Sequence, residues 1–156
     1  MRFDPSVGNT IKIDDTTFGF MAHPVAPDIV YAQEGRQGTV YKLAYDSSYY
    51  ALKVFHGAFR TRDIVTRAEK LTSYTQIPGL LACRRTVLTP ARHAELLAQF
   101  PELNFAVLMP WIDGPTWFEI VFARREITQD QSRILANALI DTLSLMEQNS
   151  LALALC

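Results

Sequence analysis

The chain has 156 residues, 49% of them hydrophobic, and a formal net charge of −1, which gives room for one domain, or for one domain and part of another. Its apolar content excludes intrinsic disorder, and the lack of a basic stripe argues against a nucleic acid partner. No run approaches the roughly 18 apolar residues of a membrane span, and two cysteines are too few for a disulfide framework. We therefore expect a cytoplasmic protein with no nucleic acid and no membrane partner.

The first predicted element is a β-hairpin near the N-terminus. Over residues 10–21, two isoleucines and then two phenylalanines alternate with polar neighbours, and an Asp-Asp-Thr turn sequence separates them. Residues 23–27 contain two prolines, which predicts a connector that pairs with no strand. Residues 1–27 are therefore predicted to form an N-terminal hairpin extension.

Residues 28–112 are predicted to form a five-stranded antiparallel sheet with a helix packed on it. Aromatic and β-branched residues dominate the strand-like runs, and the order of strands and helices predicts an α+β fold. In chain order, the predicted elements are strands at 29–32, 39–45 and 49–55, a helix at 60–74, a strand at 80–88, a short helix at 89–97 that begins at Thr89-Pro90, and a strand at 105–109.

Residues 113–156 are predicted to form two or three helices after an Asp-Gly-Pro break. One helix opens at Thr116, and the last begins at Thr128, where Gln131 completes a capping box, and ends at about Glu147. The last helix is apolar on more than one face, which is typical of a buried helix. Exposed apolar surfaces of this size mark an interface, so we expect a homodimer or a partner chain that covers these helices.

A glycine-containing segment connects the first two strands of the sheet. Residues 33–40 read Gln-Glu-Gly-Arg-Gln-Gly-Thr-Val, which matches G-x-G-x-x-G-x-V except that Gln33 stands in the first glycine's place. Gly35 and Gly38 would let the backbone bend closely over a phosphate. A plain hairpin with both glycines as turn residues explains the same segment, and this alternative stays open.

The third strand carries an Ala-x-Lys pattern. Residues 51–54 read Ala-Leu-Lys-Val, similar to the V-A-I-K of protein kinases. Because side chains alternate along a strand, Ala51 and Lys53 are predicted to lie on one face, where a small alanine leaves space for a flat ring and the lysine can reach phosphate oxygens. The alternative is a solvated lysine at the sheet surface.

Two further segments complete the pattern. Glu69 lies in the middle of the first predicted helix, where a glutamate usually faces water. The apolar strand at 105–109 runs into Pro110-Trp111-Ile-Asp-Gly114, which would also fit an ordinary buried strand that ends at the proline. Together with the glycine segment and the Ala-x-Lys strand, these four features resemble, in order, the ATP-binding N-terminal lobe of the protein-kinase-like superfamily with the start of its C-terminal lobe.

The resemblance covers residues 28–150 and implies ATP as the candidate cofactor. In such a lobe Glu69 would pair with Lys53 and hold its ammonium on the phosphates. The implied nucleotide-binding residues are Gly35, Gly38, Val40, Ala51, Lys53, Glu69, Leu108, Met109 and Trp111.

On the adenine side, the resemblance assigns the remaining roles. The base would lie between Val40 and Ala51, with Leu108 as the gatekeeper residue. The carbonyl of Met109 and the amide of Trp111 would meet the edge of the adenine ring.

The catalytic motifs of the superfamily are missing from the sequence. Phosphoryl transfer in kinases uses H-R-D-x-x-x-x-N and D-F-G for the base and the magnesium ligands, and neither motif occurs. His23, His56 and His93 lie far apart without metal-ligand spacing, so we expect surface or packing roles for them and no metal site. The sequence therefore predicts a nucleotide-binding lobe that is inactive as a phosphotransferase; the alternative is a pseudokinase-type interaction module that binds no ATP.

Overall fold

The structure is a computed structural model that describes residues 3–77, 79–80, 83–115 and 117–149. It confirms the α+β class and the antiparallel sheet. The strands are β1 Thr10–Ile13, β2 Thr16–Phe20, β3 Ala22–His23, β4 Ala26–Val30, β5 Ala32–Gly35, β6 Gly38–Tyr45, β7 Ser48–Phe55, β8 Thr86–Val87 and β9 Val107–Pro110. The helices are α1 Asp63–Thr72, α2 Ala94–Gln99, α3 Trp117–Phe122 and α4 Gln129–Gln148.

The main sheet has seven strands rather than the predicted five. Its order is β1-β2-β6-β7-β9-β8, with β5 also paired to β6. The predicted N-terminal hairpin is present as β1 and β2, but it continues the sheet, because Gly19 and Phe20 of β2 pair with Ala44 and Leu43 of β6. The hairpin is therefore part of the same layer as the strands that follow it.

The predicted connector at 23–27 is wrong. Residues Ala22–His23 and Ala26–Val30 pair as a separate two-stranded sheet that includes Pro27. Each strand of such a sheet has one unpaired edge, so a proline can point its missing N–H away from the partner without the loss of a hydrogen bond.

Two predicted elements are shorter than expected. The strand predicted at 80–88 is limited to Thr86–Val87, and residues 81 and 82 lie outside the described residues. The helix predicted from Thr89 begins only at Ala94. The Thr89 carbonyl accepts hydrogen bonds from the amides of both Arg92 and His93, at 3.1 and 2.8 Å, so the chain forms a separate turn before the helix.

The last helix starts as predicted. The Thr128 hydroxyl accepts a hydrogen bond from the Gln131 amide at 3.2 Å, and the Thr128 amide donates to the Gln131 side chain at 3.0 Å. This reciprocal capping box satisfies two amides that the first turn of α4 would otherwise leave unpaired. The predicted start of the preceding helix at Thr116 lies outside the described residues.

The hydrophobic core covers one face of the main sheet. Directly paired residues of antiparallel strands point to the same side, and the pairs Tyr41↔Leu52 and Leu52↔Leu108 place these residues on the core side. The buried members of this core are Ile11, Ile13, Phe18, Phe20, Val30, Leu43, Leu52, Leu88, Leu97, Leu103, Ala106 and Leu108. The alternate residues of β6 and β7 therefore point to the opposite face.

The chain divides into two compact units. The first consists of Met1–Gln76 and Leu81–Trp111, and the second of Ile77–Leu80 and Ile112–Cys156. The first unit contains the sheet with α1 and α2, and the second contains α3 and α4. The N-terminal hairpin thus belongs to the same unit as the predicted lobe, apart from residues 77–80 and 112 of that lobe.

Candidate functional site

The candidate site begins at the tip of the β5–β6 hairpin. Gly35 pairs with Gly38, which leaves Arg36 and Gln37 as the two turn residues. The His56 amide donates to the Gln37 carbonyl at 2.9 Å, and its ring Nε2 lies 3.2 Å from the Gly35 carbonyl oxygen. These contacts attach the tip to the end of β7, so the backbone of the turn has a fixed position.

Gly38 has a structural role that needs no ligand. A Cβ at this position would lie 2.1 Å from the Val54 carbonyl oxygen and 2.8 Å from the Cα of Phe55. At Gly35 the nearest atom to a Cβ would be the Gly38 carbonyl oxygen, at an ordinary 3.5 Å. Close approach of β6 to β7 thus requires the second glycine, which supports the hairpin explanation for that position.

The Ala-x-Lys prediction is confirmed in its geometry. Val40 pairs with Lys53, and Lys42 pairs with Ala51. These four side chains therefore share the face of the sheet opposite the core. Ala51 is buried and Lys53 is half-buried.

The Lys53 ammonium lies beneath the hairpin tip. Its Nζ donates to the Gln37 side-chain oxygen at 2.8 Å and lies 4.7 Å from the centroid of the Phe55 ring. A lysine in this position can meet an anion bound under the turn, because the ammonium is a compact charge on a flexible stem.

The structure does not bring Lys53 and Glu69 together. Both residues lie in the described part of the chain, and no ion pair joins them there. The buried residue of α1 is Ala68, and one residue further along a helix turns the side chain by about 100°. Glu69 is exposed to solvent, whereas Lys53 extends towards the hairpin tip.

In the structure, the residues predicted to surround the adenine are shifted by one position relative to the register that the resemblance implied. Leu108 pairs with Leu52 and is 8% exposed in the core, so it lies on the face opposite Lys53. Met109, which pairs with Ala51, lies on the Lys53 face instead. Because side chains alternate strictly along a strand, a shift of one residue exchanges the two faces.

The same one-residue shift changes which backbone groups at the end of β9 could meet an adenine. The Trp111 amide donates to the Tyr49 carbonyl at 3.1 Å, so it is already used within the sheet. Hydrogen-bonded pairs alternate along an antiparallel ladder, which makes Met109 and Ala51 the next hydrogen-bonded pair. Pro110 lies between Met109 and Trp111 in the sequence, so its carbonyl points away from β7.

Sequence reasoning missed an aromatic cluster around Lys42. The Lys42 Nζ lies 4.2 Å from the Tyr49 ring centroid, 4.8 Å from Trp111 and 5.9 Å from Tyr31. An ammonium is attracted to aromatic faces at such distances. The signal was available in the alternation of Val40, Lys42 and Ala44, which places Lys42 on the Lys53 face.

A groove of the first unit is lined by none of the residues around Lys53. This groove of about 720 Å³ runs between β1, the N-terminal segment and α2. At one end, Arg92 donates two hydrogen bonds to Asp14, at 2.8 and 2.9 Å. The His93 side chain is 3% exposed and its Nδ1 accepts from the Thr89 amide at 3.2 Å, so of the surface or packing roles expected for the histidines, this one has a packing role.

No family model, curated protein or solved structure matches the chain. Among the described residues, no group of three or more His, Cys, Asp or Glu side chains is arranged to hold a metal ion. The described helices include none with the length and apolar character needed to cross a membrane.

Proposed function

We propose that the sheet face with Val40, Ala51 and Lys53, together with the Gly35–Gly38 hairpin, is the ATP-binding face of a protein-kinase-like lobe. The observation that carries this proposal is the Lys53 ammonium beneath the hairpin tip, 2.8 Å from the Gln37 side-chain oxygen. A phosphate oxygen in place of that oxygen would receive the same hydrogen bond with the added attraction of opposite charges.

The adenine would lie on the face that carries Ala51 and Lys53, beside the small side chain of Ala51 as the resemblance implies. The register of β9 favours Pro110 rather than Met109 as the residue that presents a carbonyl to the base, because the Pro110 carbonyl points away from β7. A proline supplies only an acceptor, which suits the exocyclic amino group of adenine.

The proposed lobe binds ATP but does not transfer a phosphoryl group from it. Charge that develops on a transferring phosphoryl group is neutralised in kinases by metal ions and a positioned base, and the sequence contains neither of the motifs that supply them. One lysine does not replace these groups. The chain is therefore proposed to be inactive as a phosphotransferase.

The test is a thermal shift with MgATP. A ligand that binds the folded state raises stability by RT ln(1 + [L]/Kd), or about 1.4 kcal/mol at roughly ten times the Kd. We expect a rise in Tm of the wild type that is lost in Lys53→Ala and retained in Lys12→Ala, a matched exposed lysine on β1. A wild type with no shift at millimolar MgATP would contradict the proposal.

A second candidate function is an interaction module that binds no nucleotide. Two observations favour it: Glu69 does not pair with Lys53, and the Lys53 ammonium already has an internal acceptor in Gln37. This function predicts the absence of any MgATP shift, so the same measurement separates the two candidates.

A further inference from the structure

The backbone of β1 has hydrogen-bonding groups along an edge that no strand covers. β1 is the end strand of the main sheet, and among the described strands it pairs with β2 alone. The Phe20 amide donates to the Asn9 carbonyl at 3.0 Å, and such hydrogen-bonded pairs alternate with non-hydrogen-bonded ones along an antiparallel ladder. The N–H and C=O groups of Thr10 and Lys12 therefore point away from β2, and no described residue bonds to them.

The groove between β1 and α2 follows this edge. The middle of β1 lines one side of it, and residues 91–96 line the other. The two hydrogen bonds from Arg92 to Asp14 join the sides at one end, so the groove has a fixed width there. Its lining includes the partly buried side chains of Leu96 and Phe100, which pack against the core. Its volume of about 720 Å³ is within the range of ligand-binding clefts.

Lys12 provides a charge that can select a partner. It alternates with the buried Ile11 and Ile13, so its exposed side chain lies on the face opposite the core. Among the described residues, no carboxylate forms an ion pair with it. Opposite charges directly across an antiparallel pair are stabilising and like charges are destabilising. A strand added beside β1 is therefore favoured when an acidic residue lies opposite Lys12.

We propose that this edge binds an extended peptide as an added antiparallel strand, with an acidic residue opposite Lys12 and an apolar residue opposite Ile11. Main-chain hydrogen bonds supply the affinity of such strand addition, and alternate side chains supply the specificity. The residue opposite Ile11 points to the same side as Ile11, where Leu96 and Phe100 line the groove. None of the lining residues belongs to the proposed nucleotide site, so the two sites can be tested separately.

The probe is the peptide fluorescein-Val-Glu-Val-Thr-Val-amide, whose glutamate would lie opposite Lys12 and whose central valine would lie opposite Ile11. The control peptide has lysine in place of the glutamate. In fluorescence polarisation titrations, the wild type should bind the glutamate peptide roughly fivefold more tightly than the lysine peptide, since a cross-strand charge pair corresponds to up to about that factor. Lys12→Glu should reverse the preference.

A bulky side chain in the groove tests whether the peptide lies there. Ala94 is exposed and lines the groove at the start of α2, so Ala94→Trp should largely abolish binding by filling the space that the peptide needs. Ala98→Trp is the matched control, because Ala98 is exposed on the same helix but does not line the groove. It should leave the affinity unchanged. Circular dichroism verifies that both variants are folded.

Hydrogen exchange locates the bound strand on the edge. The amides of Thr10 and Lys12 should exchange quickly in the protein alone and slowly with excess glutamate peptide, because the added strand accepts hydrogen bonds from them. The amide of Ile11 points towards β2 and should change little.

Reversal of the charge preference, together with slower exchange at Thr10 and Lys12, would support the inference. It would be overturned if the wild type did not bind the glutamate peptide at millimolar concentration, or if Ala94→Trp bound it as well as the wild type does. Slow exchange of the same two amides without peptide, in a protein with twice the mass of one chain, would also overturn it, because a second copy would then occupy the edge.

Discussion

Gly38 lies so close to β7 that its missing side chain is a requirement of the sheet. A Cβ there would lie 2.1 Å from the Val54 carbonyl oxygen, and a backbone atom cannot rotate away as the end of a flexible side chain can. Gly38, the second glycine of the segment at residues 33–40, is thus explained first by strand packing. A role in phosphate binding would be additional to that structural one.

Replacement of this glycine gives the sharpest stability prediction at the scale of one residue. Gly38→Ala should lower the free energy of unfolding by about 3 kcal/mol or more, because overpacking against backbone forces the two strands apart. Gly35→Ala, whose Cβ would have an ordinary 3.5 Å contact, should change it by less than about 1 kcal/mol. Urea denaturation measures both, and equal effects would contradict the assigned packing.

At the scale of an element, β7 separates a core face from a candidate binding face. Leu52 is 0% exposed in the core, whereas its neighbour Lys53 lies on the other side. Leu52→Ala should therefore cost about 2–5 kcal/mol of stability. Lys53→Ala should leave the fold intact, and its denaturation midpoint should stay close to that of the wild type. If Lys53→Ala destabilised the protein more than Leu52→Ala, the two faces of β7 would be wrongly assigned.

The contribution of the capping box to the stability of α4 can be measured by substitution. Thr128→Ala removes the hydroxyl that accepts from the Gln131 amide, and loss of such a cap costs about 1 kcal/mol. We expect faster hydrogen exchange of the α4 amides in this variant. Ser144→Ala, in the C-terminal part of the same helix, should not accelerate exchange, because alanine favours a helix more than serine does. Acceleration by both variants would argue against a specific cap.

The sequence was sufficient for features with a strong local signal. Alternating apolar residues predicted the β1–β2 hairpin, alternation along β7 predicted the shared face of Ala51 and Lys53, and Thr128 with Gln131 predicted the start of α4. Each of these depends on neighbours within a few residues. Local patterns also gave the class of the fold.

The remaining features depend on distant partners, which no local pattern specifies. The pairing register of β9 against β7 is set by long-range packing, and an error of one residue moved Leu108 from the candidate site into the core. The direction of Lys53 was likewise not predictable, because it depends on contacts with residues distant in sequence, one of which is Gln37, 16 residues away. The sequence placed Glu69 in the middle of the first helix but could not decide whether it faces solvent or pairs with Lys53.

At the scale of the whole molecule, the exposed apolar residues of α4 concern the association of chains. Leu139 and Leu143 are 55% and 46% exposed, and they lie one turn apart on the helix. The prediction of a homodimer or another partner that covers this helix still stands as a prediction.

Light scattering tests that association. If α4 forms the interface of a homodimer, the wild type should have twice the mass of one chain, and Leu139→Glu or Leu143→Glu should reduce it to that of one chain, because a charge buried at an interface without a partner is costly. Ser144→Glu, an exposed residue of the same helix, should keep the dimer unless Ser144 is part of the interface. A wild type with the mass of one chain would contradict the homodimer.

Nucleotide binding to the Lys53 face is tested by titration of ¹⁵N-labelled protein with MgATP, followed by amide chemical shifts. We expect saturable shifts at the turn between Gly35 and Gly38 and along β7 around Ala51 and Lys53, with the turn shifts strongly reduced in Lys53→Ala. An absence of shifts in these segments at millimolar MgATP, or shifts confined to other parts of the chain, would contradict it.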